Sequence, residues 1–403
     1  MQLLIQNTVL GTDQHLLTDS VKASVHWCTK VPSNVWVLGD KNHVNSVETL
    51  LAVLGEDPID MFPNSHLKAF EELCPDGINS NIPWRWVLGD KDFMARLHSV
   101  LERVRVNVCA LETSKYDQTY KTIRKFLLEL QPPLIDKAKI QNYIRNNEKG
   151  MTVEASLRSF LPEKHHAPYI TYDQAGTATG RLTVKKGPRI LTLPARYRDI
   201  IKPSPGCEIV QIDLVSAEPR TALYVAGKEA TGDVYSNIAK SLNLDVPRKV
   251  VKIASLSALY GAGSASLAST LGSKSQAKRV ISRLREHFGV HRIESQLTAD
   301  MKKDGYITNI FGRKLMTRRD ELQKLYSHFM QSTTSDAAIC MFSSLCETLK
   351  HHDTNFKPFY MIHDALVCEI SCSLKNKIEN MSKELILEGI GTYETKMTSV
   401  NNN

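Results

Sequence analysis

Two aspartates lie in apolar segments, where an acidic side chain needs a partner. Asp213 closes the stretch EIVQIDL, and Asp364 lies in the middle of YMIHDALVCEI. Both stretches are predicted to be buried β-strands, in which an unpartnered carboxylate is costly. A divalent cation between them would stabilise both, and Mg²⁺ fits because it takes one or two carboxylates and completes its shell with water and substrate phosphates. The alternative is that each carboxylate caps or salt-bridges a local group.

A basic helix is predicted between the two aspartates. Its N-terminus has Asp245 as a candidate N-cap and Pro247 in the first turn. Two cationic side chains one turn apart near a helix N-terminus are suited to binding a triphosphate. An apolar side chain and an aromatic ring further along the helix are suited to packing on a base. A basic amphipathic surface helix is the alternative. The residues at intervals of four, which share one face, are Arg248, Lys252, Leu256 and Tyr260.

The rest of the pattern predicts the elements that position these residues. Residues 1 to 112 are predicted to be a mixed α/β region, in which NVWVLGDK and RWVLGDK are strands. From about residue 115 to 164 the chain is polar, basic and helical, which fits either a solvated helical hairpin or an arm on a phosphate backbone. Further on, YITNIFGRKLM is predicted to be a hairpin, and a long helix that starts at ELQKLYSHF precedes the strand of Asp364.

Composition limits the classes of function. The 403 residues suffice for two or three domains. A formal net charge of +8 favours polyanionic partners such as nucleic acid, although many soluble proteins are this basic. None of the eight cysteines forms a C-x-x-C pair, which favours free thiols over disulfides or zinc. No run approaches about eighteen apolar residues and the N-terminus lacks a basic start, so we predict a cytoplasmic protein with no membrane partner.

Six short segments make the expected function specific. DLVSAEPR, RKVVKIASLSALYG and IHDA resemble motifs A, B and C of family A DNA polymerases, in that order. TATGRL, GYITNIFGRKL and QSTTSDAA resemble three further segments of the family. The resemblance covers about residues 165 to 395, and the short spacings resemble those of bacteriophage members, for which the compartment would be the host cytoplasm.

The resemblance implies an α+β right-hand polymerase fold. An antiparallel palm sheet would comprise residues 166–225 and 301–403, with helical fingers at 226–300 and a reduced helical thumb at 113–165. A small N-terminal α/β domain of unknown role would occupy residues 1–112. This region contains no Asp-x-Glu, so the 3′–5′ exonuclease that family members often carry there is not expected.

The same resemblance implies roles for individual residues. Asp213 and Asp364 would hold two Mg²⁺ ions, with Mn²⁺ as an alternative, helped by the backbone carbonyl of Leu214. Lys252 would donate a proton to pyrophosphate and, with Arg248, would grip the incoming phosphates. The resemblance also implies that Glu218 would exclude a ribose 2′-hydroxyl. The dNTP would be contacted by Glu218, Leu256, Tyr235 and Tyr260. Primer-template DNA would be contacted by Arg181, Thr179, Gln331, His363 and Arg313.

Motif C departs from the family pattern. Ala365 replaces the usual second acidic residue, and Glu369 lies at an odd offset from Asp364, on the opposite strand face. Because two-cation chemistry needs the two aspartates more than a third carboxylate, we expect activity to survive this change.

Three further positions depart from the family pattern, one in motif A, one in motif B and one in the segment GDVYSNIA between them. Leu256 stands where a Phe or Tyr is usual, which removes ring stacking on the nucleotide. Tyr235 stands where a phosphate-contacting histidine is common. Pro219 follows Glu218 directly and is predicted to start a helix.

Two other functions remain open from the sequence. A single-subunit RNA polymerase shares the three motifs, but Glu218 and TATGRL argue against it. A non-catalytic polymerase-like module would bind primer-template without extending it, but the intact aspartates and basic pair argue against that. A separate exonuclease, helicase/primase or processivity subunit on another chain is compatible with the main interpretation.

Overall fold

The computed structural model describes two parts of the chain. In the C-terminal part it describes residues 115–400 except 147–149, 163, 175, 261–263 and 316–323. Before residue 115 it describes residues 2–6, 14–19, 24–32 and 36–38 and the single positions 91 and 95. The chain divides into two compact units between Thr113 and Ser114.

Four short strands form the described sheet of the N-terminal unit. Their order is β3-β2-β1-β4, with β4 parallel to β1 and the other neighbours antiparallel. The predicted strand NVWVLGDK is observed in part as β4, whereas residues 85–90 of RWVLGDK lie outside the described residues. The strands are β1 (Gln2–Ile5), β2 (His15–Asp19), β3 (Ser24–Cys28) and β4 (Trp36–Leu38).

The C-terminal unit opens with three helices, α1 (Asp117–Leu128), α2 (Lys137–Arg145) and α3 (Gly150–Arg158). Ile123 and Phe126 are buried on one side of α1. Lys125 of α1 forms an ion pair with Glu347 at 2.8 Å, between its Nζ and Oε1 atoms. One face of α1 is therefore packed on the protein, and one of its cations already has an acidic partner.

A five-stranded antiparallel sheet is the centre of this unit, with the order β12-β13-β9-β15-β14. β13 is buried along its whole length, which fits its largely apolar sequence. The predicted YITNIFGRKLM hairpin is confirmed as β10 paired with β11. The strands of the unit are β5 (Leu134–Ile135), β6 (Thr171–Asp173), β7 (Thr183–Lys186), β8 (Ile201–Lys202), β9 (Cys207–Leu214), β10 (Ile307–Thr308), β11 (Lys314–Leu315), β12 (Lys357–Ile362), β13 (Ala365–Ser371), β14 (Glu384–Leu387) and β15 (Gly391–Ser399).

Helices carry the rest of the unit. The 28-residue α10 shares one hydrophobic core with the sheet, whereas α5 to α9 are built around a second core that includes Val251, Leu284 and Phe288. Among the described residues, no helix is long and apolar enough to cross a bilayer. The helices are α4 (Ala217–Val225), α5 (Val234–Ser241), α6 (Arg248–Tyr260), α7 (Ser264–Leu271), α8 (Lys274–His287), α9 (Val290–Asp304), α10 (Leu325–His352) and α11 (Lys375–Ser382).

Two predicted helix starts are wrong by a few residues. α6 begins at Arg248, and the carbonyl of Pro247 accepts hydrogen bonds from its first turn, so Asp245 lies too early to be the N-cap. α4 begins at Ala217, which places Pro219 inside its first turn. Proline is tolerated there because the first turn of a helix has no N–H partner to lose.

Candidate active site

The two aspartates come together at one end of the central sheet. Asp213 is the penultimate residue of β9, and its register partner on β13 is Ala365, the residue after Asp364. The backbone N–H of Leu214 donates to the carbonyl of Asp364 at 3.0 Å, between nitrogen and oxygen. The sheet therefore holds the two acidic positions side by side, although they are far apart in sequence.

The prediction that YMIHDALVCEI is one strand is wrong. Ile362 pairs with Ala365, so His363 and Asp364 form the two-residue turn of the β12–β13 hairpin. His363 has a φ of 56°, a left-handed conformation that is uncommon for a residue other than glycine and is often found at functional sites. The turn places Asp364 at the end of the sheet, where Asp213 also lies, and not inside a strand.

Both carboxylates are held in surroundings that disfavour their charge. Burial, followed by the nearby carboxylate of Glu218, raises the pKa of Asp364 to about 6, and Asp213 adds to the effect. Burial also raises the pKa of Asp213, against the lowering effect of a hydrogen bond from Gln211 and the charges of Arg198 and Lys396. A cation would relieve the penalty on both. The donor set therefore fits Mg²⁺ or Mn²⁺, although no cluster of three acidic, His or Cys ligands occurs among the described residues.

Several predicted residues line one cleft beside Asp364. Glu218 lies in the first turn of α4, and its Oε1 atom is 3.4 Å from Nη2 of Arg181. Thr179 is buried and is not part of the cleft wall. The residues that line the cleft are Arg181, Leu182, Glu218, Gln331, Thr334, Ser335, Ala338, His363 and Asp364.

His363 and Tyr260 lie close to the charges of this cleft. Although His363 is exposed overall, desolvation on its protein side and the positive charge of Arg181 lower its pKa. Burial, followed by the charge of Glu218, raises the pKa of Tyr260. The Tyr260 hydroxyl is buried and makes no hydrogen bond of acceptable geometry within the described part of the chain. Glu218 is thus near both a cation, Arg181, and a phenol, Tyr260.

Arg248 is fixed by an acidic residue that the sequence did not suggest. Its Nε and Nη2 atoms donate to the two carboxylate oxygens of Asp233 at 2.7 and 2.9 Å. Its guanidinium carbon lies 5.2 Å from the ring centre of Tyr235. One turn further along α6, Lys252 is exposed, and Leu256 after it is half-buried. Arg248, Lys252 and Leu256 therefore follow one another along α6, one turn apart, as two cations and an apolar residue.

Arg313 does not fit the predicted contact with primer-template DNA. Its Nε and Nη2 atoms donate to both oxygens of Asp336 at 3.0 and 2.9 Å, and its Nη1 donates to the carbonyl of Gln174 at 2.9 Å. Its side chain is only 11% exposed. It also packs so closely on Gly180, which has a φ of 72°, that a Cβ there would lie 2.4 Å from the guanidinium carbon. Arg313 is thus a buried structural residue that supports the TATGRL turn.

Glu369 does not supply the acidic group that Ala365 lacks. Its carboxylate accepts hydrogen bonds from the backbone N–H of Ser204 at 2.7 Å and from Lys357 at 2.7 Å. It is 1% exposed and makes these bonds at the end of the sheet away from Asp213. Glu369 therefore does not add a third carboxylate to the pair of Asp213 and Asp364.

The fold has a counterpart of known structure. A search of solved structures matches the polymerase domain of Pol1 from M. smegmatis, solved in complex with a DNA primer-template and dNTP. The match has a TM-score of 0.54 and 14% sequence identity, and it covers 96% of this chain and 92% of that one. The chain therefore has the α+β right-hand fold of this polymerase class.

The family follows from the sequence comparison. Residues 94–396 match the model of DNA polymerase family A, and the chain belongs to this family. The curated relatives include the DNA polymerases of Mycobacterium phages L5 and D29, each 26% identical, over 197 and 221 residues. These matches cover 46% and 50% of this chain. The chain spans about a third of the length of these relatives, 32% and 35%.

Proposed function

We propose that this protein carries out template-directed, primer-dependent DNA synthesis from dNTPs, using two divalent cations bound by Asp213 and Asp364. One observation carries the proposal: the fold brings these two carboxylates, both with a raised pKa, to one end of the sheet beside the cleft of Glu218 and Arg181. When bound, Mg²⁺ would supply the positive charge that favours an ionised primer 3′-hydroxyl and a leaving pyrophosphate.

The protein's own residues would bind and orient the nucleotide. Arg248, held by Asp233, keeps its Nη1 atom without a partner among the described residues and available to a phosphate, and Lys252 provides an exposed ammonium one turn further on. Lys252 can also donate a proton to pyrophosphate as it leaves.

Glu218 would select the sugar. It forms an ion pair with Arg181 and is near enough to Tyr260 to raise the pKa of that phenol, and from this position its side chain would exclude a ribose 2′-hydroxyl. Arg181, Gln331 and His363 share the cleft wall and would contact the primer-template. Minor-groove acceptors are nearly independent of sequence, so such contacts would test pair shape.

The N-terminal region would not contribute proofreading. Residues 1–112 contain no Asp-x-Glu, the pair of carboxylates with which a 3′–5′ exonuclease begins its metal site. We propose that any such activity, like a helicase/primase or processivity function, comes from elsewhere, which co-purification from the native source would test.

Primer extension tests the proposal directly. Wild-type protein with Mg²⁺ should extend a labelled primer with dNTPs, and Asp213→Ala should abolish extension while leaving the fold intact. Asp300→Asn, a carboxylate on α9 held by Gln296, is the control and should extend normally. Extension unaffected by Asp213→Ala would refute the proposal, and a preference for rNTPs over dNTPs would identify an RNA polymerase instead. A wild-type protein that binds primer-template but does not extend it would be a non-catalytic module.

A further inference from the structure

Gln211 makes an unusual pair of hydrogen bonds beside the candidate cation site. It lies on β9 two residues before Asp213, so both side chains are on the same face of the sheet. Its Nε2 atom is 2.9 Å from each of the two carboxylate oxygens of Asp213. Its Oε1 atom accepts a hydrogen bond from Nη1 of Arg198 at 2.6 Å. The three side chains form a chain of hydrogen bonds from a cation, through an amide, to a carboxylate.

The chemistry of the three groups fixes how the amide is oriented. An arginine can only donate hydrogen bonds and an ionised carboxylate can only accept them. The amide must therefore turn its oxygen to Arg198 and its nitrogen to Asp213, and a flipped amide would lose every bond. Glutamine is suited to this position because it offers an acceptor and a donor on one planar group.

The geometry at Asp213 leaves lone pairs available to cations. One nitrogen at equal distances from both oxygens lies between them and uses one lone pair of each. Each oxygen keeps a second lone pair, which faces away from Gln211. Rotation of the carboxylate about its Cβ–Cγ bond would break both bonds at once, so the amide holds the remaining lone pairs in fixed directions.

The neighbours of Asp213 make this restraint more important. In the strand register Asp213 is flanked by Ala365 on β13 and by Lys396 on β15. The register partner on β13 therefore carries no acidic group of its own, and the partner on β15 carries a positive charge, which disfavours a cation. Arg198 itself has a buried Nε atom with no hydrogen-bond partner among the described residues, and its Nη1 atom donates to Gln211. A correctly directed carboxylate offsets part of this unfavourable charge.

We propose that Gln211 is a positioning residue that holds the Asp213 carboxylate for divalent cations, with Arg198 as its anchor. The proposal rests on the proposed function, because it takes Asp213 to be a cation ligand. It adds a residue type that the motif itself does not require, at a position two residues before the motif begins.

Cation binding to the full chain tests this without relying on catalysis. Free Mn²⁺ is measured by electron paramagnetic resonance as it is titrated, in the absence of nucleic acid, into wild type, Gln211→Leu, Asp213→Asn and Thr398→Val. Leucine keeps the size of the side chain but removes the amide. Thr398 pairs with Gln211 across the β9–β15 ladder and is exposed, so Thr398→Val is the matched control. We expect Gln211→Leu to bind Mn²⁺ about 10- to 100-fold more weakly, the range found when groups that orient a metal ligand are lost.

A kinetic measurement separates positioning from a general structural effect. In primer extension, Gln211→Leu should need about 10-fold or more Mg²⁺ for half-maximal activity, because its carboxylate is no longer directed. At saturating Mg²⁺ its KM for dNTP should stay within about twofold of wild type, because Gln211 contacts neither Arg248 nor Lys252.

The outcomes distinguish this proposal from the proposed function. If Gln211→Leu binds Mn²⁺ within twofold of wild type, or more tightly, the positioning role is overturned. If Asp213→Asn binds Mn²⁺ more weakly in the same experiment, Asp213 is still supported as a cation ligand. An Asp213→Asn variant that binds Mn²⁺ like wild type would overturn both. Weaker binding by Gln211→Leu in a protein that extends no primer would support the positioning role and refute the proposed function.

Discussion

Asp336 and Asp364 are both withdrawn from water in the C-terminal unit, yet their surroundings differ in kind. Asp336 is 0% exposed and accepts hydrogen bonds from Arg313, Asn309 and Tyr116. Asp364 has no ion pair in the described part of the chain, and burial and Glu218 raise its pKa to about 6. A carboxylate whose bonds are all satisfied inside the protein supports the fold. A carboxylate without a cationic partner, at the end of a sheet, is available to a ligand.

The arginines show the same difference. Three nitrogen atoms of Arg313 donate hydrogen bonds to acceptors inside the protein. Arg248 also forms a two-point ion pair, but it is 52% exposed and keeps Nη1 free of described partners. The sequence motif around an arginine therefore says less about its role than the number of donors that the fold leaves unused.

The largest expected effect is on catalysis at the uncompensated carboxylate. Asp364→Asn should reduce primer extension by about 10³-fold or more, which corresponds to about 4 kcal/mol of lost transition-state stabilisation. The fold should survive, which circular dichroism checks. Single-turnover extension measures the rate, and a variant with more than a tenth of wild-type activity would contradict the assigned role.

Asp336→Asn should instead reduce stability. It leaves the buried guanidinium of Arg313 without its charge partner, which typically costs about 3–5 kcal/mol. Urea or thermal unfolding measures the loss, with Asp117→Asn, which removes an exposed i,i+4 pair with Lys121, as the control. A loss of less than about 1 kcal/mol would remove the contrast between the two aspartates.

Glu218→Ala should change substrate choice. Removing the side chain opens space for a 2′-hydroxyl, and we expect discrimination against rNTPs to fall by about 100-fold. The ratio of kcat/KM for a dNTP and the matching rNTP measures it. Glu229→Ala, an exposed glutamate in the loop after α4, should leave the ratio unchanged. If both variants discriminate equally, Glu218 does not select the sugar.

The raised pKa of Asp364 predicts a stability that depends on pH. Its pKa of about 6 in the folded protein lies above the usual value of 3.8 for an aspartate. Ionisation of Asp364 therefore lowers the free energy of unfolding. The stability that the protonated carboxyl contributes is fully present below about pH 4 and is lost as the pH rises through about 6. Asp364→Asn should therefore be more stable than wild type at pH 7 in the absence of divalent cations. The difference in the free energy of unfolding between the two proteins should be about 2 kcal/mol larger at pH 7 than at pH 4, after allowance for partial exposure. Unfolding in EDTA at both pH values measures it, and an equal difference at the two would contradict the prediction.

The smallest expected effect is at Asp233, whose pKa is lowered to about 2 by its hydrogen bonds from Arg248. The ion pair is exposed, so Asp233→Asn should raise the KM for dNTP by only about fivefold, with kcat little changed. Asp245→Asn, before the same helix, is the control. A lower KM in Asp233→Asn would mean that the ion pair competes with the triphosphate instead of orienting Arg248.

Much of the site could be predicted because it depends on local patterns. Apolar runs that end in an aspartate, the four-residue spacing from Arg248 to Tyr260, and the hairpin at residues 307–315 follow from side-chain periodicity and turn chemistry, and they are present in the structure. The order of the six motifs then indicated the family, which the comparison confirms. The turn at His363 was missed because the residue in the left-handed conformation is neither glycine nor asparagine, and the apolar residues on both sides of His363 and Asp364 favoured one continuous strand.

The sequence by itself determined which residue types are present, on which kinds of element they lie and to which family the chain belongs, because these depend on neighbours along the chain. Only the tertiary structure decided which charges have partners. Arg313 meets Asp336, Gln211 links Arg198 to Asp213, and Asp364 keeps no ion pair among the described residues. These partners are separated by up to about 23 residues or lie on different elements, so burial and distance, which set the energy of a charge, arise only when the chain folds.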